Sequence, residues 1–248
     1  MINSQLIKEA VQLINNSKHT TVFTGAGISV ESGIPPFRGP TGLWSKYDPV
    51  FLDITYFEQE PDKSWKLINE IFYDFMGTAK PNEAHKILAL LENKGYIQTI
   101  ITQNIDNLHQ EAGSNNVLEF HGTTKTLTCI KCGEQFHYKK DLLEQLPPKC
   151  PKCKGLLKPD FVFFGEGIPE PANSLSFKEA DIADIFIVIG TTGEIYPASL
   201  IPIIAKKNGT KIIEINTNKS KYTDGTTDLF LQGKATEIMS FIKKEMFR

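Results

Sequence analysis

The residues whose types and spacing speak most directly of chemistry are four cysteines. Cys129-x-x-Cys132 and Cys150-x-x-Cys153 form two knuckles with residues 133–149 between them, and the chain has no other cysteine. Such knuckles can converge to place four thiolates around one tetrahedral Zn2+. Four thiolates close the coordination sphere, so the expected role is structural, with no open position for a reacting ligand. Gly133 and Pro151 suit the tight turns that the knuckles need. A redox pair is one alternative. A nucleic-acid-binding ribbon is another, but the basic, aromatic surface that accompanies such ribbons is missing from the sequence.

A second group of residues has the chemistry of a nucleotide site. Gly25-Ala26-Gly27-Ile28-Ser29 follows the strand-like run Thr20–Thr24 and opens a short helix. There, backbone amides and a helix N-terminus can face a pyrophosphate, and glycine permits close approach. As a dinucleotide fingerprint the match is incomplete: Val30 stands at the third glycine position, and no strand-end acid follows about 20 residues later. A tight turn that binds nothing remains the alternative. Thr102-Gln103-Asn104-Ile105-Asp106 comes directly after a second buried strand. Its polar side chains could bind a carboxamide and ribose hydroxyls, or Asn104 or Asp106 could simply cap a helix. Gly190-Thr191-Thr192 and Asn216 end two further strands, where a ribose or phosphate could sit, and Gly233-Lys234-Ala235 before the last helix could contact an adenine. His121 is one of five histidines and could act as a general base. His19 precedes the first strand, His85 opens a helix, His109 packs within one and His137 sits in the cysteine loop. Arg38 is the one internal arginine, Arg248 being the last residue.

These residues require a scaffold of buried strands with ligand-facing ends. Leu6, Ala10, Leu13 and Ile14 mark an opening helix. Residues 83–94 and 198–207 are helical in pattern, and residues 234–246 form a C-terminal helix. The β-rich runs are Thr20–Thr24, Tyr96–Thr102, Ile182–Ile189 and Lys211–Ile215, with a short last strand at Asp228–Leu231. Their alternation gives an α/β fold, a Rossmann-like parallel sheet with helices on both faces. Residues 39–80, helical and aromatic, and residues 122–159, which carry the cysteines, break the alternation. They are expected to pack together as a smaller domain, leaving 1–38, 81–121 and 160–248 as the nucleotide-binding domain.

Composition bounds the partners. A net charge of -2 over 248 residues supplies no surface for nucleic acid or membrane. The N-terminus lacks a signal pattern, the longest apolar runs are too short to span a bilayer, and the cysteines suit a reducing compartment. A cytoplasmic protein is expected.

Residues 25–39, Gly25-Ala26-Gly27-Ile28-Ser29-Val30-Glu31-Ser32-Gly33-Ile34-Pro35-Pro36-Phe37-Arg38-Gly39, resemble the signature of the sirtuin family. The likeness continues through residues 102–114, through the Phe120-His121-Gly122 element and through Lys158–Glu166, and spans about residues 8 to 245. It implies an NAD-dependent protein-lysine deacylase of the bacterial and archaeal type, most simply a deacetylase, with NAD as co-substrate and one structural zinc. Gly25, Ala26, Gly27, Phe37 and Arg38 would bind NAD, with Phe37 shielding the reacting ribose and Arg38 near the phosphates. Gln103, Asn104, Asp106 and the backbone at Ile105 would order NAD and its nicotinamide pocket. Gly190, Thr191, Thr192, Asn216 and Ala235 would complete the cofactor site. His121 would be the general base, with Asn104 beside it in the catalytic set.

An acylated-lysine peptide would lie as an added β-strand between Lys158–Glu166, which holds Val162, Phe163, Phe164 and Gly165, and the segment from Gly193 to Tyr196, which holds Glu194 and Ile195. Val162 and Phe163 would help form the apolar tunnel for the acyl-lysine stem. The implied products are free lysine, nicotinamide and O-acyl-ADP-ribose. Mono-ADP-ribosyl transfer or NAD hydrolysis at the same site, a non-catalytic NAD sensor and a hydride-transferring dehydrogenase are the rivals. The chain departs from the family at Gly193, where an aliphatic residue is usual, and Glu194 beside it could favour basic peptides. Family members that remove succinyl or malonyl groups carry a Tyr-x-x-Arg pair in the helical insert. Ile68 and Ile71 stand about there, with Lys63 or Lys66 as conceivable substitutes. Acetyl or longer apolar acyl groups are therefore expected.

Overall fold

In the computed structural model, which describes residues 3–39 and 42–248, the aliphatic runs become a six-stranded parallel sheet. The chain opens with α1 (Ser4–Asn16), capped by the Asn3 side chain, which accepts the Gln5 amide at 3.0 Å. It continues into β1 (Thr20–Thr24) and a 3-10 segment, Ala26–Ser32. An excursion follows, comprising α2 (Ile54–Gln59), α3 (Pro61–Ile68) and a π-helical segment, Asn69–Phe75. The sheet resumes through α4 (Glu83–Asn93), β2 (Thr99–Thr102), α5 (Leu108–Glu111) and β3 (Val117–Glu119). A second excursion contains β4 (Gly122–Cys129), β5 (Gln135–His137) and β6 (Leu157–Phe161). The last part is α6 (Ala172–Ile182), β7 (Ile185–Ile189), α7 (Leu200–Lys207), β8 (Lys211–Asn216), β9 (Leu229–Gln232) and α8 (Ala235–Met246).

The strand order is β3-β2-β1-β7-β8-β9, every neighbouring pair parallel. The order reverses at β1, which has β2 on one side and β7 on the other. Ligands collect at such a switch point, outside the carboxyl ends of the strands. Side chains alternate across the sheet. Val22, Ile100, Ile187 and Ile213 pack with α1, α4 and α8, while Phe23, Ile101, Phe186 and Ile212 pack with residues of α6 and α7. Covering both faces explains why these strands carry apolar side chains on both sides of the sheet.

The two excursions meet in one aromatic core. Its antiparallel sheet has the order β5-β4-β6. Phe72 of the helical insert lies 5.1 Å from Phe161 of β6, ring centre to ring centre, and Phe57 lies 5.1 Å from Phe163. Buried Trp65 donates its indole N–H to the Leu157 carbonyl at 2.9 Å. Tyr73 stacks on Trp65 and donates its hydroxyl to the Thr124 carbonyl.

Some elements differ from the sequence expectation. The run expected from Tyr96 enters the sheet only at Thr99, because the Tyr96 amide closes α4 by donating to the Leu91 carbonyl. Ile182 ends α6 instead of starting a strand, and Asp184 turns the chain by accepting the Lys18 and His19 amides. The edge strand β3 and helix α6 were not expected. Among the described residues, no helix is long and apolar enough to cross a membrane.

Candidate active site and metal centre

A cleft of about 1100 Å³ opens at the switch point, at the junction of the two cores. Gly25, Ala26 and Gly27 after β1 line it, as do Gly190, Thr191 and Thr192 after β7. The glycines have a steric reason. A Cβ on Gly27 would fall 2.6 Å from the Gly190 Cα, and one on Gly25 would fall 2.8 Å from the Thr191 Cβ. Their amides are turned into the protein: Gly25 donates to the Ile189 carbonyl at 3.0 Å and Gly27 to the Gly190 carbonyl at 2.8 Å. These two glycines therefore offer a bare floor against which a ligand can lie, not a pair of free N–H donors. Asn216, Ala235, Phe37 and Arg38 line the same cleft.

The polar cluster after β2 works both as a cap and as a cleft wall. Gln103, Asn104 and Ile105 line the cleft, whereas Asp106 lines a small neighbouring pocket that shares Ala26, Phe37, Asn104 and Ile105 with it. Asp106 accepts the Leu108 amide at 3.0 Å, capping the start of α5, and the Ser29 hydroxyl at 2.7 Å. Loss of water raises its pKa, while the Ser29 and Leu108 hydrogen bonds pull it back down. Buried Asn104 donates its amide to the Gly25 carbonyl and to the Ser29 hydroxyl, both at 3.2 Å, leaving Oδ1 as its acceptor. Gln103 donates to Thr191 Oγ1 at 3.1 Å, bridging the ends of β2 and β7. Ser29 thus joins Asn104 to Asp106. The only sequence signal for this role was its place in the glycine loop.

His121 follows β3 and also lines the cleft. Its Nδ1 lies 3.0 Å from the Gln103 carbonyl, which can only accept, so Nδ1 carries the proton and Nε2 keeps its lone pair. Burial lowers the His121 pKa, and the bond to Gln103 only partly restores it. A half-buried imidazole that is neutral at pH 7 is a competent proton acceptor. The next residue is forced: Gly122 has φ of +74, and a Cβ there would fall 2.1 Å from the Asp160 carbonyl oxygen. The other histidines have different surroundings. His85 completes a capping box with Asn82 and is pushed down to about 4 by burial. His109, also buried, lies 2.9 Å from Thr24 Oγ1, and His19 pairs with Glu179. His137 is exposed on β5.

Val162, Phe163, Phe164 and Gly165 line the cleft with His121, as do Glu194, Ile195 and Tyr196. The Val162 amide donates to the His121 carbonyl at 2.9 Å, and the Phe164 amide and carbonyl bond to Leu52 and Ile54. The Phe163 ring is committed to the aromatic core, with Lys158 Nζ 4.2 Å from its centre. Phe164, Glu194 and Tyr196 are exposed. An apolar arm of the cleft is lined by Trp44, Leu52, Phe72 and Phe161. Ile68 and Ile71 are buried in the core instead, and Phe72 takes the lining position. Arg38, Lys219 and Lys234 are the cations among the described lining residues. The suggested substitutes, Lys63 and Lys66, do not reach the lining, and Lys63 pairs with Glu60 on the surface.

The four cysteine sulfurs all lie within 4.8 Å of one another, with Cys129 to Cys153 at 3.4 Å and Cys132 to Cys150 at 3.8 Å. Zn–S bonds of about 2.3 Å in a tetrahedron set S···S edges of about 3.8 Å. A Cβ on Gly155 would fall 2.9 Å from the Cys129 sulfur, so the turn over the centre has no room for a side chain. The donor set and its size suit a structural zinc.

A sequence model described as the Sir2 family matches residues 25–197, a span running from the glycine loop to the end of the groove wall. This chain belongs to the Sir2 family. Similar proteins include NAD-dependent protein deacylase 2 of Pyrobaculum aerophilum, 43% identical over 95% of this chain and 94% of that one. The NAD-dependent protein deacylase of Pyrococcus furiosus is 42% identical, over 98% of this chain and 99% of its own length. Among solved structures, a Sir2 complex with a p53 peptide and NAD+ superimposes with a TM-score of 0.89 at 36% identity, over 96% of this chain and 98% of that one. A Sir2 enzyme bound to a propionylated peptide gives a TM-score of 0.88 at 35% identity, with the same coverage. Within this Sir2 chain the cleft, the cysteine cluster and His121 share one molecule with a joint at Gly122. Chain connectivity therefore ties His121 directly to the half that carries the four cysteines.

Proposed function

We infer that this Sir2-family chain is an NAD-dependent protein deacylase, with acetyl or another apolar acyl group on lysine as its preferred cargo. The observation that carries the reading is the His121 ring, whose protonated Nδ1 is fixed on Gln103 while Nε2 remains a base inside the cleft. NAD supplies the ADP-ribosyl group that accepts the acyl group, so that acyl-lysine, NAD and water give free lysine, nicotinamide and O-acyl-ADP-ribose. The cleft has room for this co-substrate together with a second substrate, being above the roughly 300–1,000 Å³ usual for one small ligand.

The protein's part is to hold, orient and dry the reactants. Gly25, Ala26, Gly27, Gly190, Thr191 and Thr192 give the diphosphate a close floor, with Arg38 as its countercharge. Asn216 and Ala235 receive the adenosine end. Gln103, the Asn104 Oδ1 and the Ile105 backbone orient the nicotinamide ribose and carboxamide, and Asp106 braces them from behind through Ser29. Phe37 covers the reacting carbon and excludes water, which would otherwise intercept it. His121 Nε2 takes a proton from a ribose hydroxyl, and its burial keeps it uncharged for that step. Holding the weakly nucleophilic acyl oxygen in line supplies proximity in place of reactivity.

The peptide lies as an added strand between Val162–Gly165 and Glu194–Ile195, gaining affinity from main-chain hydrogen bonds with little sequence demand. The acyl group points into the arm lined by Trp44, Leu52, Phe72 and Phe161, where no cation stands to hold a distal carboxylate. Cys129, Cys132, Cys150 and Cys153 hold one zinc that stabilises the small domain. Thiolates of this kind are kept reduced in the cytoplasm, where we place the protein. A net charge of -2 gives it no direct nucleic-acid or membrane role.

ADP-ribosyl transfer and NAD hydrolysis would use the same cleft, but neither makes use of an apolar arm beside the base. The test is mass spectrometry after incubation with NAD and peptides carrying acetyl, propionyl, long-chain acyl or succinyl lysine. Equal amounts of deacylated peptide, nicotinamide and O-acyl-ADP-ribose are expected from the apolar acyl peptides, with succinyl poorest. Nicotinamide release without deacylation would overturn the reading.

A further inference from the structure

Two loops that line the cleft are locked together by hydrogen bonds and by one buried ring. One runs from Thr191 to Ser199 after β7 and carries Glu194, Ile195 and Tyr196 of the proposed peptide groove. The other joins β8 to β9, and its Thr217, Asn218 and Lys219 line the cleft beside Asn216 at the nucleotide end. Three hydrogen bonds cross between them. Asn216 donates to the Thr191 carbonyl at 2.9 Å, the Lys221 amide to the Thr192 carbonyl at 3.0 Å, and the Tyr222 hydroxyl to the Ser199 carbonyl at 3.2 Å.

The tightest contact is apolar. Tyr222 is fully buried, and its ring lies directly under Gly193. Gly193 has φ of +72, and a Cβ there would come within 2.9 Å of two ring carbons. This explains the departure noted in the sequence: the space that an aliphatic side chain would fill from the groove loop is filled from below by a tyrosine. The second loop is itself held down from the sheet, since buried Glu214 on β8 accepts the hydroxyls of Thr223 at 2.9 Å and Thr227 at 2.7 Å. The Tyr222 carbonyl also accepts the amides of Thr226 and Thr227 at 2.8 and 3.0 Å. The ring is therefore a rigid plug between a nucleotide-lining loop and a peptide-lining loop, and packed contacts of this kind pass displacement on without absorbing it.

We propose that Tyr222 is a positioning residue that couples the two loops, so that filling the nucleotide site shifts Gly193–Tyr196 through the packed ring and tightens the peptide groove. The inference rests on the deacylase reading. A displacement of one loop carried by the packed ring into the other appears as positive coupling between sites.

Titration calorimetry tests it without turnover, using an acetyl-lysine peptide with and without saturating ADP-ribose. The wild-type protein should bind the peptide about fivefold more tightly when ADP-ribose is present, within the usual range of coupling between sites. Tyr222→Leu should bring that ratio to about one while leaving ADP-ribose affinity within about twofold, because only the link has been cut. If melting shows that Tyr222→Leu does not fold, Gly193→Ala disturbs the same contact from the surface side and should abolish the ratio likewise. A folded variant that keeps the wild-type ratio, or a wild-type protein with no ratio, overturns the proposal. Failure of the wild-type protein to bind the peptide under either condition would overturn the deacylase reading, and this inference with it.

Discussion

The two halves of this molecule reach precision by different means. In the nucleotide half, aliphatic side chains on a parallel sheet fix the strands, and functional residues appear where the strands stop. Thr24, Thr102, Glu119, Ile189 and Asn216 are the last residues of β1, β2, β3, β7 and β8, and cleft-lining residues lie at or just beyond each of these ends. The metal half has only three antiparallel strands, with 3-10 and π-helical turns between short helices. It is held by interlocked aromatic rings and a cluster of four sulfurs. A regular sheet positions groups through its backbone, whereas an irregular core must do so through side-chain packing and ligation. The first half should tolerate loss of a functional side chain; the second should not tolerate loss of its staple.

The largest expected effect tests the second statement. Stripping zinc from the folded protein with a strong chelator should loosen the small domain and bring deacylation to background, since structural zinc contributes directly to folding. Near-ultraviolet circular dichroism would report the change through Trp44 and Trp65, both in or against that core. Activity surviving complete loss of metal would show that the aromatic core suffices alone.

His121→Ala tests the first statement and should lower turnover about 10²- to 10⁴-fold, the range for a positioned general base, with little change in melting temperature. In the wild-type protein, the acid limb of the pH–rate profile should fall below the ordinary histidine value of about 6.5, because burial depresses the His121 pKa and it stays an unprotonated base to lower pH. Near-normal turnover by the variant, or an acid limb above 6.5, would remove His121 from its role.

The smallest effect concerns how the nucleotide half is buried. His85 is depressed to about 4 in the folded protein, so between about 6.5 and that value the unfolded chain binds a proton that the native state refuses. Its contribution is complete above the unfolded pKa and is lost as pH falls, by about 1.4 kcal/mol per pH unit once below it. His85→Gln keeps a side chain suited to the capping box formed with Asn82 but cannot titrate. Urea unfolding should show the wild-type advantage shrinking between pH 6.5 and 5. A constant difference would mean that His85 is protonated, or solvated, in the folded state.

The contrast between the halves also decides what could be read from the sequence. Strand β7 was visible as an unbroken apolar run because both faces of the sheet are covered, and β1 and β8 as β-rich stretches in which threonines or Glu214 stand among the apolar residues. The edge strand β3 was not, because Val117, Leu118 and Glu119 are only half-buried and its pairing depends on β2. Helix α6 was missed because Ser176 and Ala180 supply its fully buried positions, and neither marks an apolar stripe. Gly25 and Asn104 stood out because each follows a strand, although both types are common in turns and caps, and His121 stood out through the likeness of its Phe-His-Gly element to the sirtuin family. The inward-facing amides of Gly25 and Gly27 could not be seen, since their partners belong to β7 and its following loop. The oddity of Gly193 was legible but its cause was not, because Tyr222 comes from a different crossover of the sheet.

One consequence follows from the joint after β3. His121 and Gly122 are adjacent, yet they are constrained by unrelated demands: a proton acceptor at one position and an oxygen 2.1 Å from any added carbon at the next. On the proposed function, natural selection can explore the first only by giving up chemistry and the second only by giving up the fold. An invariant pair among relatives would therefore record two separate histories, one of function and one of steric necessity, written side by side.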